Sequence, residues 1–556
     1  MKNLRPLKPY QVRKVGLPPL FLFLFLCLIP VANAQRRERT VDTWKPVHYD
    51  VSIFFNDQLS EISSAKTEIT LQVLKPNLSR IDLDFGELPI DSVLVSGQPA
   101  RFERAPDLLN VILPQATKQN DQVRISITYH GRPKDGLIFA NDRDGNPSVT
   151  GDNWPNRVHQ WIPCLDHPSA KATVAFTVSA PQREIVVANG RFVNVTGNAA
   201  TSTWRYEESK PIPAYCMVIA VNQGAKVNAE GPTVTPLSYY VPQRDRSYAA
   251  KGFSAAAPAV AFFSETIAPY PYEKLALIIG ATRFGGMENS SAIVFTSTLL
   301  DLRADEKMSP RFAIPTRIED VVAHEIAHQW FGDSVTESTW ADLWLSEGFA
   351  TYFAGLFVEK YEGEDAFRDY LRNQAARYFA YEKQRNAPIH DDETQDLMKL
   401  LNPNNYEKGA WVLHMLRKRL GDDAFFRGLR AYYNAHREAN ATTEDLRAAL
   451  ESASGKDLKD FFARWVYGTG HPQYQLQWTS KNAPNAVFLT VTLEQTQAGE
   501  PFLDPVPIEF TVNGQKQRQT IYPKAKLTTT EIRLDANPTS AQLDPDETLL
   551  KEVVAK

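Results

Sequence analysis

Cysteine is scarce in this chain of 556 residues: there are three, at Cys27, Cys164 and Cys216. A fold stapled by disulfides and a structural zinc site of four thiolates are both excluded by that count. If the first segment is removed as argued below, Cys27 leaves with it. Cys164 and Cys216 then remain, either bonded to each other in an oxidising compartment or as two buried thiols. Long apolar runs are equally rare. Only residues 17–29 form one, and nothing after it is long and apolar enough to cross a bilayer. No internal repeat or low-complexity linker appears, which sets aside solenoids and disordered scaffolds. An excess of basic charge is missing too: 61 Lys and Arg stand against 65 Asp and Glu, a formal net charge of −4. That balance argues against nucleic acid as a partner.

The first 34 residues read as an address. Lys2, Arg5, Lys8, Arg13 and Lys14 form a basic stretch without an acid, the apolar run follows, and Ala32-Asn33-Ala34 supplies small residues for cleavage. An uncleaved anchor is the alternative reading, for which the run is short. Loss of these five cations moves the net charge from −4 to −9. The expectation is an exported protein, periplasmic or secreted, with no stable membrane insertion after the signal (1–34) is removed.

With 43% hydrophobic residues the chain can fill several cores. Residues 35–232 read as an antiparallel β-domain. Ile69, Leu71 and Val73 alternate with polar residues, as do Val123, Ile125, Ile127 and Tyr129, and short runs follow at 172–178, 184–187 and 215–221. The stretch 151–168 is too rich in Trp, His and Asp for a simple turn; it is either packing or a loop that reaches a site. Helical periodicity takes over near Tyr248 and runs to about Gly470, so 233–470 reads as a mainly α domain with a strand at 275–280. From His471 strands return. Val487, Leu489, Val491 and Leu493 alternate, and Asn513-Gly514 after Ile508, Phe510 and Val512 marks a hairpin, so 471–556 reads as a small β-sandwich. The fold class is multidomain α+β.

The chemistry concentrates in residues 322–348. His324, Glu325 and His328 form H-E-x-x-H, and Glu347 follows after eighteen intervening residues. Thr316 with Glu319 has the form of a capping box, Ile318, Val321 and Val322 give an apolar side, and Gly332 offers a stop. On a helix the two histidines lie one turn apart on one face, so both imidazoles reach one ion. Glu325 lies about 100° further round, near a water on that ion. Two imidazoles and a carboxylate, with a fourth position left to water, is the ligand set of catalytic zinc. Two surface histidines on an ordinary helix would be the bland reading, and the capped amphipathic pattern weighs against it.

Two further stretches belong with this motif. In Gly285-Gly286-Met287-Glu288-Asn289, paired glycines let backbone run beside a ligand and a carboxylate follows that suits a cation; alone, it would be a glycine turn with an exposed acid. Tyr406-Glu407-Lys408-Gly409 opens a helix that ends at Gly421, so Tyr406 either packs or presents its phenol to an oxyanion.

The three stretches in this order resemble the zinc aminopeptidases of the gluzincin clan, the family of aminopeptidase N and leukotriene hydrolase. The resemblance runs from about residue 45 to the end and is strongest in the middle. It implies a thermolysin-like catalytic domain that binds one zinc per chain through His324, His328 and Glu347. It also implies Glu325 as general base, Tyr406 as transition-state stabiliser, and Gly285, Gly286, Met287 and Glu288 as the substrate edge, with Glu288 on the free α-amine. The implied partners are peptides with a free N-terminus. Three departures stand out. Ser346 replaces the family's Asn before the ligand glutamate. The family's Gln or Glu amine anchor, shortly before Pro163-Cys164-Leu165-Asp166, falls here in Asp152-Asn153-Trp154, and Asp152 is the residue expected to take its place. The large helical cap, with its basic residue for a substrate carboxylate, has no counterpart before the chain ends. Two other functions stay open, a zinc endopeptidase with an uncapped site and a non-catalytic zinc-bearing binding protein; retained Glu325 and Tyr406 weigh against the second.

Overall fold

The computed structural model describes residues 35–554 except 232, 300–316 and 485. Residues 1–34, where the signal is expected, and Thr316 of the expected capping box lie outside the described residues. Residues from Arg36 onward form one compact unit.

The first part is β. Alternating apolar residues give strands Trp44–Phe55, Ile62–Val73, Gln122–Gly131 and Lys171–Pro181, which sit side by side in an eight-stranded sheet. Period-two burial sends Tyr49, Val51 and Ile53, then Ile69, Leu71 and Val73, into one core. The sheet is not wholly antiparallel as expected: Trp44–Phe55 pairs in parallel with Lys171–Pro181, with His48 opposite Thr173. A distant segment with its own apolar alternation inserts beside the first strand, and no local turn dictates its direction. A second sheet carries Ile185–Ala188, Ile219–Asn222, Pro147–Gly151 and Leu137–Asn141. The expected strand 215–221 forms only from Ile219, because Ala214–Cys216 makes a buried 3-10 turn. There Tyr215 donates to the Gly332 carbonyl at 3.2 Å, and Cys216 lies 3.3 Å from an Asp333 oxygen. Cys164 and Cys216 are both buried free thiols.

The middle part joins a five-stranded sheet to a group of helices. The sheet order is Ala225–Asn228, Leu237–Val241, Leu275–Gly280, Ala292–Thr296, Gly286–Met287, so the glycine pair expected beside a ligand lies on an edge strand. Helices Ile318–Ala327, Trp344–Glu362, Glu364–Glu382 and Gly409–Leu420 pack around Phe331, Phe349, Phe353 and Trp411. Helix Trp344–Glu362 buries its apolar residues from Trp344 and Leu345 onward, and Gly363 closes it at φ +93°. Asn404–Lys408 is a π-helical turn leading into Gly409–Leu420, which Gly421 ends at φ +84°.

The last part holds a four-stranded sheet and a three-stranded one, with Asn513 and Gly514 at positive φ in the expected hairpin. Its core residues Leu489, Val491, Ile508 and Phe510 are continuous with the helical core. No described helix is long and apolar enough to cross a membrane.

Candidate metal centre and substrate cleft

Helix Ile318–Ala327 delivers His324 and Glu325, and its first residue follows Arg317, whose side chain makes no cap. His328 stands at the C-cap, so the helix ends before the expected stop; Gly332, at φ +123°, instead turns the chain after it. Glu347 sits in the first turn of Trp344–Glu362. His324 Nε2 and His328 Nε2 lie 3.0 Å apart, each 3.3 Å from Glu347 Oε2. One ligand atom from each of the three residues falls within 4.8 Å of the others, the only such group among the described residues.

This triad fits zinc. Glu347 Oε2 is buried without a hydrogen bond, a costly state for a carboxylate oxygen unless a cation takes its lone pair. Two imidazole nitrogens and this oxygen converge within reach of a single ion. His328 is oriented from behind: its Nδ1 lies 3.1 Å from the Phe331 carbonyl and 3.0 Å from Ser346 Oγ, which leaves Nε2 toward the centre. Ser346 thus reaches the ligand ring where the family's Asn stands. Its position one residue before Glu347 was the only sequence signal for this.

Glu325 is buried, and desolvation raises its pKa, with Glu288 and Glu347 adding to the rise. A carboxylate whose proton affinity is raised in this way is better suited to accept a proton than an exposed one. The Tyr406 ring stacks on the His324 ring at 5.9 Å, 8° from parallel, so its phenol borders the same space; burial raises its pKa too, and it stays a donor.

The strand Gly286–Met287 borders the other wall. Gly286 pairs with Phe295 and Met287 with Val294 across the antiparallel ladder, and Thr296 N–H donates to the Gly285 carbonyl at 3.0 Å. A Cβ on Gly286 would fall 2.3 Å from the Glu325 carboxyl carbon, so any side chain there would displace the Glu325 carboxylate from its place beside the strand. Its outer edge faces a cleft of about 750 Å³, lined by Gly285, Gly286, Met287, Glu288, His324, Glu325, His328, Glu347 and Tyr406 among others. These nine residues, expected together from the sequence, line this one cleft, and Asp152 does not join them.

Glu288 is held by a residue that sequence reasoning missed. Gln329, next to His328, donates to the Glu288 carbonyl and to Asp333 Oδ2, both at 2.8 Å, and accepts from Ser291 N–H at 2.8 Å. Burial lifts the Glu288 pKa to about 7. Asp152 does not enter the cleft as expected: it is fully buried, 3.0 Å from Arg157 Nη2 and 3.2 Å from Thr282 Oγ1. A carboxylate in a dry interior goes to the nearest fixed guanidinium, and Arg157 lies five residues along the same loop.

Residues 45–216 match the Peptidase M1 N-terminal domain, and residues 252–465 match the Peptidase family M1 domain. The chain is 25% identical over 457 residues to "Probable aminopeptidase 1" of Sulfurisphaera tokodaii, covering 80% of this chain and 56% of that one. It is 28% identical over 411 residues to "Tricorn protease-interacting factor F2" of Thermoplasma acidophilum, covering 70% and 50%. The chain thus spans about half the length of these relatives. Among solved structures, the M1 zinc metallopeptidase of Deinococcus radiodurans is similar with a TM-score of 0.64 at 25% identity, over 77% of this chain and 95% of that one.

Proposed function

The chain belongs to peptidase family M1, and from that premise we propose that it is an exported aminopeptidase that binds one zinc ion per chain and removes N-terminal residues from peptides. The observation that carries this reading is the meeting, in one cleft, of a group able to hold a metal, a buried carboxylate at Glu325, a phenol and a separate carboxylate, Glu288, just after a strand that lies at the sheet edge among the described residues. When bound, zinc supplies Lewis acidity, acidifying water and polarising a carbonyl. The protein's residues do the rest. The substrate lies extended along the edge at Gly285 and Gly286, its main chain pairing with the free groups of that strand. Glu288 receives the α-ammonium, which fixes the scissile bond one residue inward. Glu325 takes the proton of the attacking water and returns it to the leaving amine. Tyr406 donates its hydroxyl proton in a hydrogen bond to the oxyanion. A carboxylate that only an ammonium can satisfy makes the site an exopeptidase. Export rests on the basic, apolar and small-residue order of residues 1–34.

Metal analysis with activity before and after chelation tests the zinc part. About one zinc per chain is expected, with hydrolysis of aminoacyl anilides lost on chelation and restored by zinc. Glu347→Ala should lose most of the metal; full zinc and activity in that variant would remove Glu347 from the ligand set.

A further inference from the structure

The amine subsite has a second wall, which the three residues 152–154 would supply. Two of them are already committed. The Asp152 carboxylate faces Arg157 at 3.0 Å and Thr282 Oγ1 at 3.2 Å. Asn153 donates to the Met217 carbonyl and accepts from Trp161 Nε1 at 2.9 Å. Neither lines the cleft; Trp154 does, together with Glu288 and Phe284. The Trp154 ring is wedged edge-to-face between Phe284, at 6.1 Å and 90°, and Trp340, at 5.6 Å and 78°. It is 2% exposed and cannot swing away. The neighbouring cation, Arg283, also lines the cleft and is paired with Asp135 at 2.7 Å. Of residues 152–154, the aromatic ring is the one that borders the cleft.

Resting on the aminopeptidase reading, we propose that this enzyme binds the substrate ammonium between the Glu288 carboxylate and the Trp154 ring, and so accepts peptides whose N-terminal amine is alkylated. The reason lies in what each partner requires. A second oxygen acceptor needs an N–H aimed at it, and a methyl group in place of that hydrogen leaves the oxygen unpaired and crowded. A ring attracts the charge itself through its quadrupole and packs against methyl groups, as aromatic cages do for methylated ammonium ions. One carboxylate needs only one N–H, which a secondary ammonium keeps. The added substrate class is peptides beginning with an N-methyl residue. Acetylated peptides stay excluded, because the amide carries no charge for either partner.

The test compares leucine 4-nitroanilide with N-methylleucine 4-nitroanilide on the zinc-loaded enzyme, in the wild type, Trp154→Phe and Trp154→Gln. The N-methyl substrate should retain kcat/KM within about fivefold of the primary amine in the wild type and in Trp154→Phe. Trp154→Gln, which installs an acceptor, should lower that ratio at least about threefold further, mainly through KM. A smaller change in the ratio overturns the proposal. Should Trp154→Gln fail to fold, judged by its melting temperature and zinc content, the wild type decides. Leucine amide and N-methylleucine amide should then inhibit with constants within about fivefold, and a wider gap overturns the proposal. Hydrolysis of N-acetylleucine 4-nitroanilide at the primary-amine rate is a different outcome: it would end the aminopeptidase reading itself, and with it the basis for this proposal.

Discussion

In the proposed mechanism Glu325 and Tyr406 carry the chemistry and not the metal binding. Glu325 touches no ligand atom of the triad in the hydrogen-bond pattern, and Gly286 passes directly over its carboxyl. Glu325→Gln should therefore keep zinc while activity falls by several orders of magnitude, because proton transfer is lost and the metal ligands are untouched. Tyr406→Phe should lower kcat roughly a hundredfold or more with little change in KM, since its bond strengthens as the oxyanion forms. A Tyr406→Phe variant altered in KM alone would make the phenol a ground-state contact. Lys408, in the same motif, has a different part. It is fully buried, its ammonium has no hydrogen-bond partner and lies 5.4 Å from the Tyr378 ring, and burial lowers its pKa to about 7. Below pH 7 both folded and unfolded chains hold this proton, and the full cost of the buried charge is present. Between pH 7 and the ordinary lysine value of about 10.4, the folded chain sheds the proton first, so this group adds stability as pH rises. Lys408→Met should then be more stable than the wild type at pH 6, by on the order of a few kcal/mol, with a margin that shrinks by pH 9. Denaturant melts at the two values check this; a margin that grows with pH would contradict it. Lys171 and Lys274, also lowered to about 7, are common to both proteins and cancel in the difference.

The site depends on how two helices cross. Gly348, next to Glu347, lies against Gly409, three residues after Tyr406. A Cβ on Gly348 would come 3.0 Å from Gly409 Cα and 3.1 Å from the Asn405 carbonyl, both backbone atoms. Neither can yield as a flexible side chain would, so Gly348→Ala should push the ligand-bearing helix away from the π-helical turn. The expected cost is about 1–3 kcal/mol of stability, with activity reduced well beyond that of an equally destabilised control. Wild-type activity in this variant would mean the crossing does not set the geometry. Neither glycine stood out as a contact in the sequence, because close approach of two backbones leaves no periodic mark. What periodicity does record, it recorded well. Strand Leu275–Gly280 and the helix end at Gly421 follow directly from apolar spacing and φ preference. The 3-10 turn at Ala214–Cys216 escaped the pattern because its residues are buried for contacts to Gly332 and Asp333, far along the chain.

At the scale of the whole molecule, the β part is fastened to the turn that follows the metal-binding helix. The Lys171 ammonium donates to the carbonyls of Asp333, Ser334 and Ala439 at 2.9, 2.7 and 3.0 Å, and Asn189 donates to the Ser290 carbonyl at 2.7 Å. In the same assembly the loop of Trp154 packs against Phe284, just before the strand Gly286–Met287. Long-range placement of this kind is what the sequence left open. It named Glu288 as one amine contact, and it offered Asp152 as a second without revealing Arg157 as that residue's partner. The grouping of His324, His328 and Glu347 was legible from the H-E-x-x-H spacing and the acid that follows it, and the structure brings one atom of each within 4.8 Å of the others. The amine site spans two parts of the chain with no local pattern joining them.

That site carries the account's central claim, that a free N-terminus directs cleavage. The most direct measurement is kcat/KM on matched peptides with free and acetylated N-termini, in the wild type and in Glu288→Ala. The free peptide should be lost one residue at a time and favoured by roughly thirty- to a thousandfold, the cost of leaving a partly buried carboxylate unpaired, about 2–4 kcal/mol. Glu288→Ala should erase most of that preference. Equal cleavage of both peptides at an internal bond would contradict the claim and identify an endopeptidase.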